Sequence, residues 1–346
     1  MERKMRPGIG ITMGDPAGIG PEIAVKALGH KDIYDKSIPI IIGDFVAIKD
    51  SLGITGSSLA INRIDTPGEA KGLFGTIDLI DLGLLGQGSY EYKKVQKLTG
   101  EASFRYIVTA IELAMKDEID AVITGPINKE AINLAGHHYS GHTEIFGDYT
   151  NTKNYAMLLT GGAFSVIHVT THCSMRDACD RIKKDRVLRT IRLANEALIL
   201  LGKRNPRIAV AGLNAHAGES GLFGLEEERE IIPAIDAARE EGINAEGPVP
   251  PDTVFVKATA GLYDVVVAMY HDQGHIPFKL AGFKLDAETN KYTSISGVNC
   301  TIGLPIIRVS VDHGTAFGKA GEGRANEESL LDAINTGILM AKNRIR

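Results

Sequence analysis

Tryptophan is absent from the sequence, and cysteine is scarce, with three residues among 346. The cysteines form no C-x-x-C pair, and their odd number argues against a disulfide framework. Long apolar runs are missing too, since a stretch such as Val265 to Tyr270 is far too short to cross a bilayer. The N-terminal residues are charged and include no apolar stretch of the kind found in signal peptides. We therefore expect a cytoplasmic protein that does not bind membranes.

An excess of basic residues is also lacking. Lysine and arginine number 38 against 43 aspartates and glutamates, which gives a formal net charge of −5. No segment combines basic residues with interleaved aromatic residues into a stripe that could follow a phosphate backbone. Nucleic acid is therefore not an expected partner. Glycine, by contrast, is abundant at 39 residues, which predicts tight turns and close approaches of the backbone.

Short β-rich runs alternate with amphipathic helical segments along nearly the whole chain. This pattern predicts an α/β fold in which a mostly parallel sheet carries helices on both faces. The predicted strands are Gly8–Met13, Pro39–Gly43, Ala121–Thr124, Tyr155–Leu159, Ser165–Thr170, Arg207–Leu213, Asp264–Tyr270 and Ile306–Ser310. The predicted long helices are Pro21–Leu28, Glu101–Lys116, Arg181–Leu201, Leu225–Glu240 and Glu327–Asn343. Segments 246–251 and 284–297 are expected to be loops, the second either irregular or a surface hairpin.

The predicted helix at 225–240 has an apolar face and a charged face. Four apolar residues are expected to share one buried face, whereas the charged residues around them are expected to face water. The expected buried residues are Ile231, Ile232, Ile235 and Ala238.

Polar and glycine-rich tracts follow several predicted strands, at the positions where open α/β sheets bind ligands. The tract 14–22, Gly-Asp-Pro-Ala-Gly-Ile-Gly-Pro-Glu, is either a phosphate cradle of helix N-terminal amides or a tight turn before a helix that begins near Pro21. It matches neither G-x-G-x-x-G nor G-x-x-x-x-G-K-[ST]. A Rossmann or P-loop site is therefore not predicted.

Two further tracts offer polar side chains ahead of helices. In 124–129, Lys129 and Asn128 could meet an anionic substrate, or the lysine could simply be solvated. In 141–144, His142 and Thr143 provide paired hydrogen-bond donors and acceptors.

Three histidines follow three apolar strands in matching contexts, and they give the sharpest prediction. His172, His216 and His271 come directly after the predicted strands around 165–170, 207–213 and 264–270. A single histidine at a strand end is more often a hydrogen-bonding residue than a ligand. Three imidazoles with an open position suit a catalytic transition metal, and an adjacent carboxylate such as Asp272 suits an outer or additional ligand.

The tract Asp312-His-Gly-Thr-Ala316, followed by Ala-Gly-Glu-Gly at 320–323, resembles a dinucleotide-binding segment. It is similar to the H-G-[ST]-A and A-G-x-G segments around the adenine end of NAD in isocitrate and isopropylmalate dehydrogenases. The alternative is a glycine-rich turn before the C-terminal helix. The residues that the resemblance suggests for NAD or NADP are Asp312, His313, Gly314 and Thr315, with Gly14 of the first tract as a further contact.

Taken together, the tracts resemble the PdxA family, the 4-hydroxythreonine-4-phosphate dehydrogenases and their relatives that act on threonate or erythronate 4-phosphate. The resemblance implies that the three histidines bind a divalent cation, with zinc expected first and magnesium, manganese or cobalt as alternatives. It also implies substrate contacts from His142, Thr143, Lys279, Asn299 and Arg308. The tracts 14–22, 124–129, 141–144, 214–219, 270–274 and 310–316 follow the family's order.

The family fold is similar to isocitrate dehydrogenase, with two α/β domains, a cleft between them and a homodimer that shares its active site. On this basis we expect residues 1–140 and 300–346 to form a discontinuous domain that contributes to NAD binding. Residues 141–299 are expected to carry the metal histidines and the dimer interface.

The reaction implied is NAD-dependent oxidation of a 4-phosphorylated, four-carbon 3-hydroxy acid, followed by loss of carbon dioxide. The cation would lower the pKa of the substrate hydroxyl and stabilise the enolate formed on decarboxylation. Lys279 and Arg308 would hold phosphate or carboxylate charge. Asp272 and Lys129 are the candidates for accepting the hydroxyl proton.

Three other functions stay open at this point. The same histidines could activate water in a zinc-dependent phosphoester hydrolase, or the chain could be a metal-stabilised ligand-binding protein without turnover. A third alternative is a cis-dihydrodiol carboxylate dehydrogenase, because such enzymes occur among the relatives. The segment His275-Ile-Pro277 is associated with the sugar-acid phosphate branch of the family rather than with the vitamin B6 enzyme.

Overall fold

A computed structural model describes residues 6–162, 164–286, 291–295 and 297–344. The chain divides into two compact units. The first comprises Met1–Lys153 and Leu304–Arg346, and the second comprises Asn154–Gly303. Within the described ranges, no helix combines the length and the apolar character needed to span a membrane.

The first unit is built around six parallel strands in the order β3-β4-β2-β1-β5-β14. Its inner strands are apolar on both faces, as expected for a parallel sheet covered by helices. Strands and helices are numbered along the chain. The elements of this unit are β1 (Gly8–Thr12), α1 (Gly20–Ala27), α2 (Lys31–Lys36), β2 (Ile38–Gly43), α3 (Phe45–Thr55), β3 (Ala60–Ile64), β4 (Thr76–Asp81), α4 (Lys97–Met115), β5 (Ala121–Thr124), α5 (Lys129–Leu134), α6 (His142–Tyr149), β14 (Arg308–Val311) and α12 (Glu328–Asn343).

The second unit has the strand order β13-β6-β7-β10-β8-β9. Strands β7, β10, β8 and β9 are parallel, whereas β6 is antiparallel to both of its neighbours. A separate antiparallel hairpin pairs β11 with β12. The elements are β6 (Ala156–Thr160), β7 (Ser165–His168), α7 (Met175–Arg181), α8 (Lys184–Leu200), β8 (Ile208–Ala211), α9 (Ile232–Glu240), β9 (Ala245–Val249), α10 (Pro251–Thr259), β10 (Val265–Ala268), α11 (His271–Gly282), β11 (Phe283–Asp286), β12 (Lys291–Ile295) and β13 (Val298–Ile302).

The predicted α/β class is confirmed, and each of the eight predicted strands overlaps an observed one. Segment 284–297 forms most of the β11–β12 hairpin, which was one of its two expected forms; its residues 287–290 and 296 lie outside the described residues. The resemblance to isocitrate dehydrogenase in domain arrangement stays a prediction.

Two predictions about the second unit were wrong. Segment 246–251 was expected to be a loop, but its first residues belong to β9, which pairs in parallel with β8. The helix expected at 225–240 is present, but Ile232 was wrongly placed on its buried face, because the helix begins with a π-helical turn, Glu227–Ile231, before α9. A π turn closes around one more residue than an α turn and so rotates the residues around it relative to a regular helix. Ile232 consequently lies 37% exposed instead of joining the buried face.

Candidate active site

In the first unit, a cavity of about 360 Å³ opens where β5 and β14 end. The two strands are parallel neighbours, so the polar tracts that follow them meet at one edge of the sheet. Lys129 and His142, predicted from separate tracts, both line this cavity. The complete lining is Gly125, Pro126, Ile127, Lys129, His142, Ser310, Val311, Asp312, His313 and Gly314.

Arg308 provides buried positive charge beside this edge. Its side chain is 2% exposed, and Nη2 donates a hydrogen bond to Oγ1 of Thr124 at 2.9 Å. The guanidinium carbon also lies 5.6 Å from the centre of the Phe146 ring, within the range of a cation–π contact. A guanidinium fixed in this way suits the binding of a carboxylate or phosphate.

His142 contributes an uncharged imidazole. Burial, and then the charges of Arg308 and Lys129, lower its pKa well below 6.5. Its Nε2 atom is buried and, among the described residues, has no hydrogen-bond partner. A buried polar atom without a hydrogen-bond partner destabilises the folded protein unless a ligand or water completes its hydrogen bonding. His142 is therefore suited to contact a bound ligand, whereas Thr143 is half-buried next to it and does not line the cavity.

The glycine-rich turn after β1 packs against two other tracts of this unit, 124–129 and 312–316. The N–H of Asp15 donates to the carbonyl of Pro126 at 2.9 Å, and the N–H of Ile19 donates to the carbonyl of Thr315 at 3.0 Å. Gly14 has φ +75°, and a methyl group there would overlap the carbonyl oxygen of Pro126. The turn thus needs glycine at this position for a close backbone approach.

His313 and Asp312 bring part of the predicted dinucleotide segment to the cavity. Nδ1 of His313 lies 3.0 Å from the carbonyl oxygen of Gly314, so this nitrogen carries the proton and donates. Burial lowers the pKa of His313. Thr315 lies beside Gly18 instead, where an added methyl group would meet the Thr315 side chain at 2.9 Å. Gly14 and Thr315 are thus in the first unit but are not among the residues that line the cavity.

In the second unit, the three predicted metal histidines follow three adjacent parallel strands. His172, His271 and His216 come four, three and five residues after the ends of β7, β10 and β8. The ring centres of His172 and His271 are 5.8 Å apart. Two imidazoles that bind one zinc ion at about 2 Å have their ring centres about 5 to 6 Å apart, so this pair has a fitting separation.

Carboxylates hold the Nδ1 atoms of two of these rings. Nδ1 of His271 lies 2.7 Å from Oδ1 of Asp272, and Nδ1 of His216 lies 3.3 Å from Oε2 of Glu219. This arrangement leaves Nε2 of each ring for a metal ion, as in many carboxylate–histidine–metal sites. The donor types therefore fit a divalent cation.

The side chains of the three histidines do not, however, form one ligand set. Over the described residues there is no group of three or more His, Cys, Asp or Glu side chains that could hold a metal ion. His216 lies on an exposed 3₁₀ turn, Ala215–Gly218, with 65% of its side chain exposed. The three-histidine metal site consequently stays a prediction.

The buried side chains of Gln273 and Glu227 hold the loops that carry His271 and His216. Gln273 accepts from the N–H of Met269 at 2.6 Å and donates to the carbonyl of Gly212 at 2.8 Å. Glu227 accepts from the N–H groups of Leu213 and Asn214 at 2.7 and 2.8 Å. The ends of β8 and β10 are therefore fixed relative to α11 and to the His216 loop.

The remaining predicted substrate residues of this unit differ in their surroundings. Lys279 is exposed on α11, with Nζ 5.6 Å from the centre of the Phe283 ring. Asn299 lies on β13, and its buried Oδ1 has no hydrogen-bond partner in the described part of the chain. Asn299 therefore has the unsatisfied acceptor expected of a ligand-binding amide, whereas Lys279 shows only its exposed charge.

The sequence analysis gave no site role to two buried histidines next to His271. His168, the last residue of β7, and His275, in α11, are each 8% exposed or less. Burial lowers the pKa of His168 to about 3 and that of His275 to about 4, so both are uncharged near neutral pH. His168 could not be distinguished from a core residue because it ends an apolar run.

The comparisons with known proteins agree in identifying the family. The chain matches the family model of the pyridoxal phosphate biosynthetic protein PdxA over residues 35–337. It is 47% identical over 339 residues to the D-threonate 4-phosphate dehydrogenase of Cupriavidus necator, and the match covers 98% of each chain.

Solved structures give the same result. A 4-hydroxythreonine-4-phosphate dehydrogenase from Burkholderia phymatum matches with a TM-score of 0.84 and 45% identity, over 97% of this chain and 98% of that one. A terephthalate 1,2-cis-dihydrodiol dehydrogenase from Burkholderia xenovorans matches with a TM-score of 0.70 and 30% identity, over 96% and 98%.

The chain is therefore an oxidoreductase, a dehydrogenase that acts on a CH–OH group. It belongs to the PdxA family, and the family predicted from the sequence is confirmed. This result removes the two alternatives without dehydrogenase activity, the phosphoester hydrolase and the ligand-binding protein.

Proposed function

We propose that the protein oxidises a small 4-phosphorylated hydroxy acid, with D-threonate 4-phosphate as the first candidate. The D-threonate 4-phosphate dehydrogenase of Cupriavidus necator, at 47% identity, supports this substrate class. The observation that carries the proposal is the buried Arg308 next to the uncharged His142 and to Lys129. Such a combination suits an acid that carries phosphate and carboxylate groups.

Within this proposal, the substrate hydroxyl loses its proton and the neighbouring carbon loses hydride. NAD, or NADP, would supply the hydride acceptor, and a divalent cation would supply Lewis acidity that lowers the pKa of the hydroxyl. His172, His216 and His271 would hold the cation, with zinc first among the candidates. Asp312, His313, Gly314, Thr315 and Gly14 would contact the dinucleotide.

Lys129 is the better candidate of the two proposed proton acceptors. It lines the same cavity as His142, whereas the Asp272 carboxylate is engaged with Nδ1 of His271. Asp272 would then orient His271, and Lys129, after losing its own proton to solvent, would take the hydroxyl proton as the neutral amine. Thr143, Lys279 and Asn299 would complete the substrate contacts. The 3-oxo acid formed in this way loses carbon dioxide readily, so decarboxylation is part of the proposed reaction.

Further elements of the proposal concern the protein as a whole. A homodimer with a shared active site, and the cleft between two isocitrate dehydrogenase-like domains, stay predictions from the family resemblance. The cytoplasmic location stays a prediction from the sequence. A second candidate function, oxidation of a cis-dihydrodiol carboxylate, is favoured by the similarity to the terephthalate dihydrodiol enzyme, although at a lower identity of 30%.

A substrate screen tests the proposal. Purified protein with NAD⁺ or NADP⁺ is supplied with D-threonate 4-phosphate, D-erythronate 4-phosphate, 4-hydroxythreonine 4-phosphate and a cis-dihydrodiol carboxylate, and absorbance at the nicotinamide band is followed. We expect reduced cofactor and one carbon dioxide per turnover with a 4-phosphorylated acid. Turnover of the phosphate-free diol alone would overturn the phosphorylated substrate.

A further inference from the structure

His168 and His275 form a buried pair beside the predicted metal ligand His271. Nδ1 of His275 lies 3.1 Å from Nε2 of His168 and 3.1 Å from the carbonyl oxygen of His271. Nδ1 of His168 lies 3.3 Å from the carbonyl oxygen of Met157. The two imidazoles therefore connect the first turn of α11 to strands β6 and β7.

The carbonyl groups fix which ring nitrogens carry protons. A carbonyl oxygen only accepts, so Nδ1 of His275 must donate to His271, and Nδ1 of His168 must donate to Met157. Nε2 of His168 is then unprotonated, and the single N–H at Nδ1 of His275 is shared between this nitrogen and the carbonyl oxygen of His271. Both nitrogens of His168 and Nδ1 of His275 are thus hydrogen-bonded, which orients the ring of His275.

The fixed ring of His275 is stacked on the ring of His271. Their centres are 3.7 Å apart, and the ring planes differ by 13°. Asp272 holds Nδ1 of the same His271 ring at 2.7 Å. One face and one nitrogen of His271 are thus in contact with the protein, which leaves Nε2 as its available ligand atom.

Gly274 makes this arrangement possible. A methyl group at Gly274 would overlap Nε2 of His168 and would lie 2.5 Å from Cγ1 of Val166. Only glycine at this position allows the imidazole of His168 to reach under the first turn of α11. The sequence Gly274-His275 therefore serves the histidine pair as a unit.

We propose that His275, held by His168, is a positioning residue that sets the ring orientation of His271 and so directs Nε2 of His271 at the bound cation. This inference rests on the metal site of the proposed function. Outer-sphere groups that orient a ligand imidazole typically change metal affinity by about 10–100-fold. His275 contacts no ligand itself in this role and acts through His271.

Binding of Co²⁺, followed by its visible absorption and by competition with a chelator, tests the proposal without an activity measurement. His275→Ala removes the stacked ring, and we expect it to weaken Co²⁺ binding about 10–100-fold and to change the absorption spectrum. His275→Phe keeps an aromatic face over His271, and we expect it to recover most of the affinity. The matched control is His138→Ala, which removes an exposed histidine of the first unit and should bind Co²⁺ as the wild type does.

A second pair of variants separates orientation from folding. His168→Gln keeps an amide near the position of Nε2, whereas His168→Leu removes the hydrogen bond, and we expect the leucine variant to bind Co²⁺ at least about threefold more weakly than the glutamine variant. This comparison decides the proposal if His275→Ala does not fold. Equal Co²⁺ affinity and equal spectra in the wild type and in all folded variants would overturn it.

The outcomes also distinguish this proposal from the proposed function. A wild-type protein that binds no Co²⁺ overturns both the positioning role and the metal site. A wild-type protein that binds Co²⁺ but reduces no cofactor with any phosphorylated acid overturns the proposed substrate and leaves the Co²⁺ comparison to decide the role of His275.

Discussion

Arg308 and Thr124 are joined by a hydrogen bond of 2.9 Å between neighbouring parallel strands. The hydroxyl of Thr124 thereby orients a guanidinium that is almost completely buried. We expect a guanidinium oriented in this way to bind an anionic group of the substrate.

The substitution Arg308→Met should raise the KM for the phosphorylated substrate by about 100-fold, since removal of one partner from a buried charged contact costs about 2–5 kcal/mol. Thr124→Val, which keeps the arginine and removes only its hydrogen-bond acceptor, should raise KM by about tenfold or less. Steady-state kinetics of both folded variants check this order. An Arg308→Met enzyme with an unchanged KM would remove Arg308 from the substrate site.

The uncharged state of His142 gives a pH prediction. Because its pKa lies well below 6.5, the imidazole stays neutral from pH 6 to pH 8. His142→Asn should lower kcat/KM about tenfold by removing a hydrogen bond to the substrate, and the ratio of wild type to variant should be the same across this pH range. A ratio that changes severalfold between pH 6 and pH 8 would show that His142 titrates there.

Removal of the metal, or of a ligand, should abolish activity while the fold is kept. We expect His271→Ala, and wild-type protein dialysed against a chelator, to lose at least about 100-fold in kcat, because a Lewis acid contributes several kcal/mol to such reactions. Circular dichroism checks the fold, and readdition of Zn²⁺, Mn²⁺, Mg²⁺ or Co²⁺ to the dialysed wild type identifies the active ion. Full activity in the metal-free protein would exclude a catalytic metal.

Sequence patterns predicted the strands that lead to the site because each of these strands is a short apolar run that ends in a polar tract. Strand β3, Ala60–Ile64, was missed because it lies at the edge of the sheet and most of its residues are partly exposed. Strand β9 was missed because it contains Gly247 and Pro248, which usually indicate a loop, and pairing with β8 overrides that preference. A local sequence pattern cannot predict a pairing between strands that are far apart in the sequence.

The site likewise contains residues that the local sequence predicts and contacts that it does not. Lys129 could be predicted to meet an anion because it opens a helix after a predicted strand, and His142 was assigned to the substrate site from the family resemblance. The pairing of His168 with His275, by contrast, joins residues 107 positions apart, and nothing in either neighbourhood indicates it. The meeting of the glycine-rich turn at Gly14 with Pro126 likewise depends on the order of strands in the sheet.

Gly274→Ala should destabilise the second unit. The added methyl group would overlap His168, and overpacking of a buried position typically costs about 1–3 kcal/mol. The matched control is Gly53→Ala in α3, where an added methyl group meets no atom within 4 Å and alanine favours the helix by about 0.5–1 kcal/mol. Urea unfolding of the two variants and the wild type measures both effects. Equal stability of Gly274→Ala and the wild type would contradict the steric account.

Asp15 should make stability depend on pH in the acidic range. Its side chain is buried, Oδ1 accepts from the N–H of Ala17 at 2.8 Å, and burial raises its pKa to about 6. The unfolded chain releases this proton near pH 4, and the folded chain releases it near pH 6. As the pH rises through both values, this group therefore lowers the free energy of unfolding by about 3 kcal/mol in total.

Asp15→Asn lacks this titration. The free energy of unfolding of the variant, relative to that of the wild type, should therefore increase by about 2 kcal/mol from pH 4 to pH 7 and change little above pH 7. Denaturant titrations at several pH values measure the difference. A difference that does not change with pH would show that Asp15 ionises as readily in the folded protein as in the unfolded chain.

The discontinuity of the first unit sets an order for folding during translation. The second unit has all of its strands once Gly303 has left the ribosome, because it is one continuous segment. The first unit must wait for β14, which pairs with β5, and for α12, which packs on both strands. The first unit is thus started first and finished last. A nascent chain halted before Arg308 would have a complete second unit and, in its first unit, an unpaired sheet edge at β5.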